Sequence, residues 1–208
     1  MTEKDLKNAL AERILILDGA MGTEIQKYHF SEDDFRGVMF ANHNDKLAGC
    51  NDVLSLTQPE AIAAIHSRYL DAGADIIETN TFNANAVSLA DYGLQKFVKD
   101  INRASALLAV AEVAKRRKEG RQCWVAGSVG PTNKTLSMSA DVDDPAARDI
   151  DFDFLVDAYI EQITVLIEEG VDIIQIETIF DTLNAKAAIT ACEEAMKKIG
   201  RASCRERV

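Results

Sequence analysis

Four short runs built on consecutive apolar, mostly β-branched residues punctuate the chain, at positions 14–17, 75–78, 123–126 and 172–176. None alternates apolar with polar residues. A strand wetted on one face alternates with a period of two. Unbroken runs therefore predict strands buried on both faces, as in a parallel sheet covered by helices. Helical patterns fill the gaps. Thr57-Gln-Pro-Glu60 has capping-box spacing and an early proline, which predicts a helix start. Ile62, Ile65, Tyr69 and Leu70 then share a face, and Gly73 is placed to end the helix. Ile101, Ala104, Leu108, Ala111 and Val113 predict a second helix, ending near Gly120. Leu155, Tyr159, Ile163, Leu166 and Ile167 predict a third, closed by Gly170. Residues 183–196 predict a fourth. Strand and helix alternate four times, the pattern of βα units around a parallel sheet.

An internal echo narrows the architecture. Tyr69-Leu-Asp-Ala-Gly-Ala-Asp-Ile-Ile-Glu-Thr79 resembles Leu166-Ile-Glu-Glu-Gly-Val-Asp-Ile-Ile-Gln-Ile-Glu-Thr178. A repeated βα unit favours a barrel over an open, doubly wound sheet. A (β/α)8 barrel takes about 250 residues, and this chain has 208. The fold expected is α/β, the N-terminal half (about four βα units) of a (β/α)8 TIM-type barrel, spanning residues 1–198. Residues 199–208 have no apolar face and read as a non-native tail. Half a barrel leaves sheet edges unpaired, which predicts aggregation when it is expressed alone.

Charge and cysteine usage exclude several functions. The formal net charge is −11, a poor match for a phosphate backbone or an anionic membrane surface. No run approaches the ~18 apolar residues of a membrane span, and the N-terminus is too polar for a secretory signal. Cys50, Cys123, Cys192 and Cys204 lie far apart, with no C-x-x-C, which argues against a disulfide scaffold or a closed zinc knuckle. The expectation is a cytoplasmic enzyme, or part of one, with no nucleic-acid or membrane partner.

In a barrel, chemistry sits at the C-terminal ends of the strands. Here those ends read Asp18-Gly-Ala-Met-Gly-Thr23, Glu78-Thr-Asn-Thr-Phe82, Gly127-Ser-Val-Gly-Pro131 and Glu177-Thr178. Small, polar and acidic groups there contrast with apolar strand interiors. Gly19 and Gly22, with Ala20 and Met21 between them, let backbone N–H groups approach a ligand carboxylate. The same segment also reads as a plain turn with Asp18 as a helix cap. Glu78 and Glu177 are acids in apolar surroundings, and a substrate ammonium is a natural partner for such a group. Aligned with a one-residue extension in the second copy of the echo, the two glutamates fall on opposite strand faces. Glu177 is then placed in the mouth, and Glu78 equally well in a salt bridge to the helix layer. Thr79, Asn80 and Ser128 add short polar groups at the same level. His66 reads as a packing or surface residue, and Lys115-Arg-Arg-Lys118 as a complement to a helix dipole. The acidic stretch 141–153 reads as a solvated loop.

These strings resemble a known family. Asp18-Gly-Ala-Met-Gly-Thr23, Asp34-Phe-Arg-Gly37, Gly49-Cys-Asn-Asp52, Leu54-Ser-Leu-Thr57, Gly73-Ala-Asp-Ile-Ile-Glu-Thr-Asn-Thr-Phe82, Gly127-Ser-Val-Gly-Pro-Thr-Asn133 and Glu177-Thr-Ile-Phe-Asp-Thr-Leu-Asn-Ala-Lys186 are similar to the homocysteine-binding domain of cobalamin-dependent methionine synthases. The resemblance implies a methyltransferase barrel that binds homocysteine as a zinc thiolate and takes a methyl group from methylcobalamin to give methionine. It implies downstream folate- and cobalamin-binding domains as partners. Carried over by position, Asp18 and the loop of Gly19, Ala20, Met21 and Gly22 line the homocysteine pocket. Glu177 holds the substrate ammonium, and Thr79, Asn80 and Ser128 shape the pocket. The family's zinc-binding Asn-Cys and Gly-Gly-Cys-Cys elements do not occur here, so zinc and methylcobalamin are implied for a longer parent only. The alternatives are half of a betaine- or S-methylmethionine-dependent methyltransferase, or a non-catalytic half-barrel.

Overall fold

The computed structural model describes residues 3–200 apart from Ala140, Val142 and Pro145. The N-terminal α1 (Glu3–Glu12) leads into an extended segment and then a region of short helices: α2 (Met21–Gln26), α3 (Glu32–Arg36) and α4 (Leu54–Thr57). Beyond it, helix and strand alternate as α5 (Pro59–Asp71), β1 (Ile76–Glu78), α6 (Ala86–Leu89), α7 (Val98–Lys118), β2 (Trp124–Val129), α8 (Phe152–Glu168), β3 (Ile173–Ile176) and α9 (Thr182–Ile199). The sheet is parallel in the order β1-β2-β3. Sequential parallel neighbours joined through helices are the product of repeated βα crossovers.

Three of the four expected strands form, and the first is corrected. Residues 14–17 make one isolated parallel bridge, Leu17 to Ile76, rather than a strand. The segment pairs only with β1, through Asp75 N–H and Ile76 N–H to the Ile16 carbonyl and Asp18 N–H to the Ile76 carbonyl. Ile14 stays 85% exposed, so little burial supports a longer ladder. β2, by contrast, runs on through Gly127 to Val129, three residues past the expected end, and is buried along its whole length. Its glycine permits this. A Cβ on Gly127 would meet Leu166 of α8 at 3.1 Å, so α8 packs directly on the strand there.

The helix starts need one correction. α5 begins at Pro59, with proline in the first turn as expected, but its N-cap is Gln58 and makes no side-chain cap. Thr57 instead ends α4, and its hydroxyl donates to the Val53 carbonyl. Gly73, Gly120 and Gly170 follow their helices with positive φ, as helix-ending glycines do. α7 and α8 run longer than their sequence patterns, and Asp151 at the end of the acidic stretch caps α8 through the Phe154 N–H at 2.7 Å.

The echo marks a structural device that occurs twice. The Asp75 carboxylate accepts the Ile16 N–H at 2.9 Å and pairs through both its oxygens with Arg13 at 2.7 and 2.8 Å. The Asp172 carboxylate accepts the Val125 N–H at 2.9 Å and pairs with Arg117 at 2.7 Å. In each case the aspartate's own N–H returns to the carbonyl of the residue whose N–H it holds. Each aspartate thus clamps its strand to the preceding one and sets the register. The basic run 115–118 is drawn into such pairs: Arg116 reaches Asp71 and Lys115 reaches Glu112.

Two hydrophobic clusters flank this frame. One joins the sheet to α7, α8 and α9 around Tyr159, Val125 and Ile163. The other joins the short helices to α5 and α7 around Leu47, Leu54, Ile65 and Ile101. His66 is wholly buried with neither ring nitrogen hydrogen-bonded, and burial lowers its pKa to about 4, so it packs as a neutral ring. Residues 201–208, most of the expected tail, lie outside the described residues. Among the described residues no helix is long and apolar enough to cross a membrane.

Asp172→Ala removes both the Arg117 ion pair and the acceptor for the Val125 N–H. It should cost about 2–4 kcal/mol of stability, because the strand amide loses its acceptor and Arg117, left with the Cys123 carbonyl, loses its counter-charge. Urea unfolding of the full-length protein reads the loss. Partners on Asp75 hold its pKa below the ordinary value. Its share of the stability is therefore present at neutral pH and falls away as pH drops through the folded-state pKa.

Candidate functional site

The strand C-termini meet the 17–22 segment in one cleft of ≈ 390 Å³. Asp18, Gly19, Ala20, Met21, Gly22, Thr79, Asn80, Ser128 and Glu177 all line it, so the structure brings every expected site residue together. Leu17, Glu78 and Phe82 complete the lining. Glu78 is the residue that the sequence reading left divided between two faces.

Register explains its place. Glu78 is level with Ala126, and Ala126 with Ile173. Side chains alternate along a strand and paired residues share a face. Gly127 turns towards α8, so Glu78, Ala126, Ser128, Ile173 and Gln175 turn the other way, and Glu177 continues that parity. The one-residue alignment of the echo is wrong: two residues, Gln175 and Ile176, are inserted before the second Glu-Thr. An even insertion retains the face.

Each polar group at the strand ends has a definite task. Asp18 is not a helix cap: its carboxylate accepts the Glu78 N–H at 3.1 and 3.2 Å from its two oxygens, and Ala20 is the N-cap of α2. The Ser128 hydroxyl donates to Glu177 at 2.5 Å. The Thr79 hydroxyl accepts the Ser128 N–H at 3.0 Å, while Thr81 donates to the Ser128 carbonyl at 2.8 Å. The Thr79 hydrogen must then go to Thr81, 2.6 Å away. Thr79 therefore shapes the cleft by fixing β2. The Asn80 amide donates to the Asn51 carbonyl at 2.7 Å and to the Ser55 hydroxyl at 3.2 Å, which ties the short-helix region to the cleft floor.

Groups behind the cleft brace it. From α8, Gln162 donates to the Thr81 and Ser128 carbonyls, and Tyr159 donates to the Gly130 carbonyl at 3.0 Å. Gly130 N–H meets the Phe82 carbonyl at 3.0 Å, and a Cβ on Gly130 would stand 2.5 Å from that oxygen. Several motif strings are likewise architectural. Phe35 is buried, Arg36 donates to the His43 and Asp45 carbonyls, and the Asp52 carboxylate accepts the Asn83 N–H. Asp181 caps α9 and holds Ser137, while Asn184 accepts the Leu136 N–H and donates to Thr132. Thr178, just past Glu177, has φ 57. A β-branched residue there is a strained conformation, of the kind that gathers at functional sites.

The electrostatics are one-sided: among the described residues, three carboxyls and no basic residue line the cleft. Burial, with the charge of Glu177 adding to it, pushes Asp18 up to about 7 against the opposing Glu78 hydrogen bond. Burial also pushes Glu78 up to about 7, and the charges of Glu177 and Asp18 add to it. One Glu78 carboxyl oxygen is buried without a hydrogen-bond partner. Such a site can hold a protonated amine or protons of its own, but not three bare carboxylates.

A match to the homocysteine S-methyltransferase family model spans residues 15–206. The chain belongs to the homocysteine S-methyltransferase family. It is similar in structure to the homocysteine methyltransferase MmuM from Escherichia coli. For the oxidized form the TM-score is 0.69 at 22% identity, covering 95% of this chain and 63% of that one. For the metallated form the TM-score is 0.68 at 22% identity, covering 95% and 64%. For the apo form the TM-score is 0.62 at 21% identity, covering 95% and 60%. At that identity the likeness establishes the fold, and the chain spans less than two thirds of those proteins' length.

The zinc implied by the sequence resemblance finds no fitting donor set among the described residues. Cys50 lies in the cluster around the short helices, Cys123 and Cys192 in the cluster around the sheet. No three His, Cys, Asp or Glu among the described residues are grouped to hold a metal. Burial pushes the Cys50 thiol up to about 12, opposite to what a metal thiolate needs. Cys204 lies outside the described residues.

A carboxyl whose pKa is raised on folding favours the folded state fully below its ordinary pKa. That contribution is lost as pH rises through about 7, the folded value for Asp18 and Glu78. Glu78→Gln should therefore stabilise the empty full-length protein at pH 8, by on the order of 1 kcal/mol after discounting for solvent reaching the cleft. It should also flatten the fall in stability between about pH 5 and 8. Thermal unfolding at both pH values is the check, and an unchanged slope would show that Glu78 does not titrate there.

Proposed function

We propose that this chain is the first half of a homocysteine S-methyltransferase barrel and supplies the amino-acid-binding side of its active site. The observation that carries the reading is the convergence of Asp18, Glu78 and Glu177 on one cleft without a basic residue. Family membership makes homocysteine the substrate to test, and its α-ammonium is the complement that the cleft lacks. Glu177, held by the Ser128 hydroxyl, is the residue assigned to that ammonium. The loop of Gly19, Ala20, Met21 and Gly22 offers open backbone beside it for the substrate carboxylate. Asn80 and Thr79 fix the floor.

The zinc that activates the homocysteine sulfur in this proposal, by lowering the thiol pKa, is assigned to cysteines of the parent enzyme outside this chain. Of the methyl donors, methylcobalamin is the one proposed, with folate- and cobalamin-binding domains further along the parent chain. The support is the length of the strings shared with cobalamin-dependent methionine synthases, above all Asp34-Phe-Arg-Gly37 and Asn80-Thr-Phe82. A betaine or S-methylmethionine donor is the second reading, supported by the Asp18-Gly19 and Glu177-Thr178 elements, which resemble the wider homocysteine methyltransferases as well. A long read across codon 198 decides between a continuing barrel and a true end near residue 208. Methyl transfer assayed with each donor on the full-length protein then separates the two enzyme types.

In the full-length protein, Glu177→Gln should weaken homocysteine binding roughly 10–100-fold, the loss expected for one charged hydrogen bond. Its bound zinc should be unchanged. Titration calorimetry and metal analysis measure the two. Unaltered homocysteine affinity would remove Glu177 from the ammonium site.

A further inference from the structure

We propose that Glu78 is an amino-acid-binding carboxyl in its own right, holding a proton in the empty cleft and releasing it when a substrate ammonium enters. The inference rests on the reading of the cleft as an amino-acid site and deepens it.

The geometry begins with what faces Glu78. The 17–22 segment presents Asp18, whose carboxylate is bound to the Glu78 N–H. The end of β3 presents Glu177, which lines the same cleft on the same strand face. β2 presents Ser128, whose hydroxyl is already given to Glu177. α2 presents Met21 and Gly22. Behind Asp18, α5 presents the Tyr69 hydroxyl, whose pKa is raised chiefly by burial. No lysine, arginine or histidine is among the described residues lining the cleft.

Three carboxyls that share one small cleft cannot all be ionised at little cost, so the site retains a proton. Asp18 accepts the Glu78 N–H and Glu177 accepts the Ser128 hydroxyl, whereas one Glu78 carboxyl oxygen is buried with no partner, the place where a bare charge is least supported. The proton therefore rests on Glu78. An incoming ammonium brings its own positive charge and hydrogens. The Glu78 O–H bond then breaks, the proton passes to water, and the ammonium remains protonated between two carboxylates. Charge and atoms balance: the bound amino acid replaces one proton.

The function follows from the exchange. The proton neutralises the empty site and holds Glu78 in place. Its release makes amino-acid binding pH-dependent, a dependence that a single ionised Glu177 would not produce. A carboxyl retained at this position also favours an ammonium over a neutral or acylated amine, so Glu78 contributes to specificity.

The test uses the full-length protein and L-methionine, which has the amino-acid head but no thiol whose own proton would confuse the count. Titration calorimetry at pH 6.5 in buffers of different ionisation enthalpy reads the protons released. The expected result is roughly half a proton or more per methionine bound, declining as pH rises past about 7.5. Glu78→Gln keeps the size of the side chain and a hydrogen-bond donor without the titration. It should bind methionine with proton release cut at least ~2-fold and with a flatter pH profile. Methionine binding without proton exchange in the wild type overturns the proposal, as does undiminished release in Glu78→Gln. The wild-type count stands even if the variant fails to fold. Absence of methionine binding, or affinity indifferent to Glu177→Gln, overturns the ammonium reading of the cleft and this proposal with it.

Discussion

The sheet depends on one interaction made twice, an aspartate just ahead of a strand clamping the extended segment or strand before it. Asp75 holds the Ile16 N–H and Asp172 holds the Val125 N–H, each with an arginine on its carboxylate. A parallel pair has no hairpin to set its register. The clamp supplies that reference from the strand's own sequence. Once Asp75 and Asp172 are seated, the residues three and five positions later arrive at the upper rim on one face. The cleft is a consequence of that register.

What the rim gains in chemistry it loses in electrostatic ease. Asp18, Glu78 and Glu177 share a cleft of ≈ 390 Å³ with apolar Leu17, Met21 and Phe82. Burial raises the pKa of Asp18 and Glu78 to about 7, a state that only a cation or retained protons relieve. The surrounding hydrogen bonds make the strain tolerable. Ser128 steadies Glu177, the Glu78 amide steadies Asp18, and Gln162 and Tyr159 satisfy the carbonyls beneath. In the proposed function, a cleft so prepared would recognise an amino-acid ammonium by charge, with open backbone beside it for the carboxylate. That complementarity joins the family assignment to the proposed half-site role.

Much of this was legible in the residues. Unbroken apolar runs marked β1, β2 and β3, helix-ending glycines followed α5, α7 and α8, and polar strand ends marked the cleft. The failures have physical causes. Residues 14–17 have the composition of a strand but stay largely exposed, with Ile14 at 85%, and composition carries no information about what covers a segment. Thr57 fits a capping box by spacing, but α4 ends on it and takes its hydroxyl. The place of Glu78 was obscured by counting one inserted residue in the echo where two occur, which inverts the face assigned. The short helices between 21 and 57 had no periodicity to read. Each is only one turn or so long and is held by tertiary contacts such as Arg36 on the His43 and Asp45 carbonyls.

The sequence by itself determined the parallel α/β plan, the ends at which chemistry could sit and the family to which the chain belongs. Those follow from local pattern and from strings long enough to be specific. Only the tertiary structure decided that Asp18 joins Glu78 and Glu177 in one cleft, that the Thr79 hydroxyl is committed to holding β2, and that Asn80 is tied to Asn51 and Ser55. Such facts depend on strand register and on packing between segments distant in the sequence, and no local pattern encodes either.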